Sequence, residues 1–189
     1  MAVIAALLFL LQQTAPFWES KPPAEWSLAE CRQLLTESPW VQSDGANRVY
    51  ITSAEPVRLA EERLLDARKE SGETPADLDP EYLDFVRERS RAYIIVAVHM
   101  PNPSRMLDPR DAADVVKESR IRLGKRKYKL TAHFPPTPGD PVLRLIFPKK
   151  IAGDEKTLTL ELYIPGTPTP WRNYEFPVKS LLWKGKPEF

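Results

Sequence analysis

The run AYIIVAV, residues 92–98, divides the chain in two. It is apolar without interruption and has the length of a strand, so it is expected to be a central strand covered on both faces. Before it, apolar residues recur at helical spacing. After it, alternation with a period of two takes over. TLTLELYI, residues 157–164, is the clearest case, with Leu158, Leu160, Leu162 and Ile164 expected inward and Thr157, Thr159, Glu161 and Tyr163 outward. SRIRL and KYKLTAHF flank the turn at residues 124–126, VLRLIF follows a proline-rich turn, and YEFPVKS is expected to be the last strand. Helices grouped ahead of strands predict an α+β fold: N-terminal helices packed on an antiparallel β-sandwich, or on a strongly bent sheet, of about seven strands.

The helical half carries its own punctuation. In WSLAECRQLLTESPW, residues 26–40, Ser27 and Glu30 have capping-box spacing. Leu28, Cys31, Leu34 and Leu35 share one face of that helix, and Ser38-Pro39 ends it. Trp26 and Trp40 stand at its two ends and are expected to seal a short helix onto the β core. NRVYITS, residues 47–53, reads as a strand after the polar turn QSDGA. Ser53 is expected to cap the next helix, residues 54–71, whose face is Val57, Ala60, Leu64 and Ala67, with Gly72 as its stop. Asp79-Pro80-Glu81 opens a further helix striped with Tyr82, Phe85 and Val86, and Asp108-Pro109 opens a short one. Between residues 55 and 91, 18 of 37 residues are charged, which predicts a largely solvated layer beside a core. FWESKPPAE, residues 17–25, reads as a linker, and residues 185–189 as a tail.

Composition sets further bounds. The chain has 189 residues, enough for a sizeable core in one domain. A net charge of +1 supplies no global attraction to nucleic acid or membrane. The single cysteine excludes an intramolecular disulfide. AVIAALLFLL, residues 2–11, fits the apolar core of a secretory signal and is short for a membrane span. The expectation is a signal peptide at residues 1–15, then one α+β domain at residues 16–189, helix-rich over 26–91 and strand-rich over 92–183. That domain would be a periplasmic or secreted monomer with no transmembrane span once the leader is removed.

Catalytic signatures are missing from the sequence. There is no Gly-x-Ser-x-Gly elbow, P-loop or dinucleotide fingerprint. His99 and His133 are too few and too isolated for a zinc site, and Cys31 lies on an apolar helix face. The expectation is a non-catalytic domain without cofactor or metal. The alternative is a secreted hydrolase whose carboxylates are scattered along the chain. The strongest charge feature is KESRIRLGKRKYK, residues 117–129, with seven cations and one acid. Its hairpin reading groups Arg120, Arg122, Lys125, Arg126, Lys127 and Lys129 as a candidate surface for an anionic envelope component. Another protein is the other candidate partner, whereas nucleic acid is not expected for an exported chain. Two proline-rich loops, residues 134–141 and 164–171, are further candidate contact edges.

Three stretches also carry a resemblance. WSLAECRQLLTESPW, then SAEPVRLA at residues 53–60 and WKGKPEF at residues 183–189, resemble elements, in the same order, of a family of uncharacterised exported bacterial proteins, mainly acidobacterial. The resemblance implies a leader peptide and a mixed helix and β architecture. It brings no assigned activity and therefore no functional residues.

Overall fold

A computed structural model describes residues 15–45, 47–72, 79–100, 108–137, 139–150 and 155–189. The expected leader lies outside these residues, apart from Ala15. Helices α1 (Phe17–Ser20), α2 (Leu28–Glu37), α3 (Glu55–Glu70), α4 (Pro80–Arg89) and α5 (Pro109–Glu118) accompany an all-antiparallel β framework. One sheet has five strands in the order β1 (Val41–Ser43), β2 (Arg48–Ile51), β3 (Tyr93–His99), β7 (Val142–Pro148), β6 (Ala132–Phe134). A second has four, in the order β5 (Arg126–Lys129), β4 (Arg120–Leu123), β8 (Thr157–Tyr163), β9 (Trp171–Pro177). A small hairpin, β10 (Leu182–Trp183) with β11 (Lys186–Pro187), closes the chain. The class is α+β. No helix among the described residues is long and apolar enough to cross a membrane.

Alternation builds the core. Val49, Ile51, Val96, Val98, Leu143, Leu145 and Phe147 of the larger sheet share one buried cluster with Ile121, Leu123, Leu158, Leu160, Leu162 and Phe176 of the smaller. The opposite face of the larger sheet holds a second, small cluster. There Ile95 and Ile146 meet Tyr82 of α4, with Phe85, Val86, Tyr93 and Phe134 packed around them. Strand β3 is thus buried on both faces over residues 94–98, as its unbroken apolar run requires.

Helix α2 carries the expected capping box, with Ser27 and Glu30 each accepting the other's backbone N–H. Trp26 and Trp40 are both buried, and Cys31 and Leu34 beneath them are fully enclosed. Trp26 meets Trp183 and Phe17 edge-to-face at 5.8 and 5.6 Å, and Trp40 meets Trp18 at 6.3 Å. The supposed linker is therefore a short helix and a 3-10 turn whose Phe17 and Trp18 pack against the core.

Four local expectations are corrected. Ser53 does not cap α3. Were it the cap, its third helical residue would be Pro56, which has no N–H to donate. Ala54 takes the cap position, and the Ser53 hydroxyl instead accepts from the Ile95 N–H at 3.0 Å. KYKLTAHF is not one strand, because the chain crosses from one sheet to the other between β5 and β6. The strand count rises from about seven to eleven among the described residues, through short pieces such as β1 and β6 that periodicity over long windows does not register. Residues 185–189 are not a free tail: Phe189 is fully buried, and the Trp40 indole N–H donates to the Glu188 carbonyl at 2.7 Å.

Candidate functional site

Beside the small α4 cluster, the outer face of the five-stranded sheet opens into a groove of about 1340 Å³, walled by α3 and α4. Its floor follows from register. Tyr50, Ala97, Arg144 and Phe134 are neighbours in one cross-strand row, and Arg48, His99 and Val142 form the next. The alternation that sends Val49, Leu143 and Leu145 inward sends Arg48, Tyr50 and Arg144 outward.

Helix α3 supplies the carboxylate. Glu61 is four residues after Val57, on the buried stripe, and so points at the sheet instead of solvent. Its carboxylate accepts hydrogen bonds from the Tyr50 hydroxyl, at 3.0 Å, and from the Thr52 hydroxyl. Burial pushes the Glu61 carboxyl above its ordinary pKa, with these bonds and the Arg144 charge opposing. Burial, reinforced by Glu61, likewise raises both the Tyr50 and the Tyr82 phenols.

Arg144 and Asp140 are a nearly buried ion pair, with 8% and 9% of each residue exposed. The guanidinium also lies over the Tyr82 ring, 4.4 Å from its centroid. A charge this enclosed needs such partners, since an unpaired ion would be excluded from the groove. At the far end stand Arg48 and His99, cross-strand partners and both partly buried. Burial, then the Arg48 charge, holds the His99 imidazole below its ordinary pKa. The Arg48 Nε atom is buried and has no hydrogen-bond partner among the described residues. Chemically the floor combines a guanidinium on an aromatic ring, a carboxyl whose pKa burial raises and several hydroxyls, the equipment of polar recognition. Among the described residues no group of three His, Cys, Asp or Glu side chains stands ready to hold a metal ion.

The cationic hairpin forms elsewhere, on the outer face of the four-stranded sheet. Arg120 pairs with Lys129 and Arg122 with Lys127 across β4 and β5, in the expected register. The neighbouring strand changes its electrostatics. Glu161 of β8 lies 3.7 Å from Arg120, 3.5 Å from Arg122 and 3.2 Å from Lys127. Arg126 pairs with Glu155, whose side chain is only 2% exposed. Lys125 and Lys129 have no ion-pair partner among the described residues. A local reading of the hairpin could not anticipate this neutralisation, because Glu155 and Glu161 come from some thirty to forty residues away.

The proline-rich loops part company. The first delivers Asp140 to the groove. The second closes through the Ile164 N–H donating to the Pro170 carbonyl at 2.7 Å and leads into Trp171, which is 64% exposed and meets Tyr163 edge-on at 5.3 Å.

Sequence reasoning missed Tyr50, Thr52, Glu61, Tyr82, Asp140 and Arg144 as a group. Two signals were present: Arg144 is the one charge inside VLRLIF, and Glu61 interrupts the apolar stripe of its helix. Comparison with protein-family models, curated proteins and solved structures found no match for the chain.

Proposed function

We propose that the chain is an exported, non-catalytic binding domain of the cell envelope or extracellular space, acting as a monomer, and that it takes its ligand in the groove. The observation that carries this reading is the groove floor, where nearly buried Arg144, Asp140, Tyr50 and Tyr82 and partly buried Glu61 form a polar network inside an open cleft. Such networks are costly to desolvate and serve recognition when they line a cleft. Export is supported by the apolar run at residues 2–11 and by the resemblance to exported bacterial proteins. The hairpin enters as a secondary contact surface for an anionic envelope component, led by Lys125 and Lys129.

A second reading, a secreted hydrolase, is favoured by one observation. Glu61 and Asp140 line the same groove and both act on Arg144, which sets two carboxyls in different surroundings.

The test has two arms. Cell fractionation with mass spectrometry of the N-terminus should find a chain beginning near Pro16 outside the cytoplasm; an intact Met1 in the cytosol would overturn export. A thermal-shift screen against soluble muropeptides and anionic oligosaccharides should find a fragment that raises the melting temperature and is recovered intact. Absence of any shift overturns the groove as the binding site. Cleavage of the fragment, abolished in Glu61→Gln, would replace binding by hydrolysis.

A further inference from the structure

Arg48 sets the charge at one end of the groove. Arg144, the other guanidinium of the floor, is occupied by Asp140 and by the Tyr82 ring. Arg48 has no ion pair with a described residue, and its Nε is buried without an acceptor. The end of a guanidinium that carries its two terminal nitrogens matches two oxygens of a carboxylate or phosphate. His99 lies directly opposite in the register and offers a second donor when it protonates. Both side chains are partly exposed to the groove, so a ligand can reach them.

We propose that the Arg48–His99 end of the groove is a subsite for an oxyanion, the carboxylate or phosphate group of the ligand. The proposal rests on the groove reading and adds the chemistry of one end of it. Arg48 takes the oxyanion through its terminal nitrogens, and His99 donates from the neighbouring strand. The groups facing His99 set the pH dependence. Arg48 on β2 disfavours the imidazolium, Asp140 from the loop before β7 favours it, and enclosure disfavours it most. Without a bound anion the His99 imidazole therefore titrates below its ordinary range. An oxyanion beside it adds a negative charge and favours the imidazolium. Binding is then accompanied by proton uptake, and affinity increases as pH falls through the His99 titration.

The chain contains two histidines, so its histidine ring protons can be followed by NMR with His133 as an internal reference. His133 stands opposite Leu145 in β7, on the core-facing side of the sheet. Titration with inorganic phosphate, and separately with acetate, should shift the His99 signal to saturation and raise its pKa, leaving His133 in place. The tighter of the two arms identifies the group. Arg48→Gln should weaken the titration about tenfold, the loss of one charge-assisted contact. Arg48→Lys, which keeps the charge and loses the paired guanidinium donors, should fall between. An unchanged His133 signal reports that either variant is folded. A non-saturating response, parallel shifts of both histidines or equal affinity in Arg48→Gln would overturn the subsite. A muropeptide that binds wild type and Arg48→Gln equally would overturn the subsite and leave the groove reading standing. Phosphate binding at His99 without any fragment binding would uphold the subsite and remove the envelope ligand.

Discussion

Glu61 concentrates the chemistry of the groove in one residue. Enclosure favours its neutral form, and the two hydroxyls that donate to it favour its anion; enclosure wins, so the folded pKa lies above the unfolded one. The direction of the linkage follows. Below the ordinary carboxylate range Glu61 is protonated in both states and costs nothing. As pH rises through its folded pKa, ionisation inside the groove removes stability. Glu61→Gln, which resembles the neutral carboxyl, should therefore unfold at higher urea concentration than wild type at pH 8. The difference should vanish near pH 4. A wild-type advantage that grows with pH would show Glu61 to be a stabilising anion. Arg144 illustrates why such residues escape a sequence reading. Its presence in an apolar strand is visible, but its partners Asp140 and Tyr82 become evident only when strand and helix are placed.

Among the elements, those with the most local control were the most legible. Asp79 accepts from the Glu81 N–H and Asp108 from the Arg110 N–H, each just ahead of its helix, as cap and proline spacing implied. Turns obey equally local rules. In the β4–β5 hairpin Gly124, at φ +58, occupies the first of two loop positions, where an L side chain is disfavoured. In β10–β11 both loop residues, Lys184 at φ +49 and Gly185 at φ +74, are left-handed, as a two-residue hairpin of the mirror-image type requires. A Cβ at Gly185 would meet no neighbour within 4 Å, so the cost of Gly185→Ala is conformational alone. That substitution should lower the unfolding free energy by about 1–2 kcal/mol, measured by urea denaturation, without displacing the ring contacts of Trp183. A loss below about 0.3 kcal/mol would mean that the hairpin contributes little to the folded state. Strands were read less completely. β1 and β6 have three residues each, too few for a period to declare itself, and the division of KYKLTAHF between sheets depends on neighbours remote in sequence.

Across the molecule, one core binds the helix-rich and strand-rich halves, since Cys31, Leu34 and Val57 belong to the same buried cluster as Leu160 and Phe176. Phe189 belongs to it as well. Phe189→Ala should cost about 3–5 kcal/mol, because a fully enclosed ring is replaced by a cavity. Helical circular dichroism and tryptophan fluorescence should still report the same midpoint, as expected for one cooperative unit. Divergent midpoints would show that the helical layer unfolds separately.

The sequence by itself determined the α+β class, the caps at Ser27, Asp79 and Asp108, most strands and which of their faces point inward. Those features depend on backbone sterics and on periodicity within a dozen residues. Only the tertiary structure decided how the strands divide between two sheets, that Phe189 lies in the core, and that Glu155 and Glu161 pair with four of the hairpin's cations. It alone assembled the groove, by aligning β2, β3 and β7 so that Arg48 faces His99 and Tyr50 shares a row with Arg144. Register between distant strands is set by the whole core. A shift of one residue would turn every one of these side chains to the other face, and no local pattern records that choice.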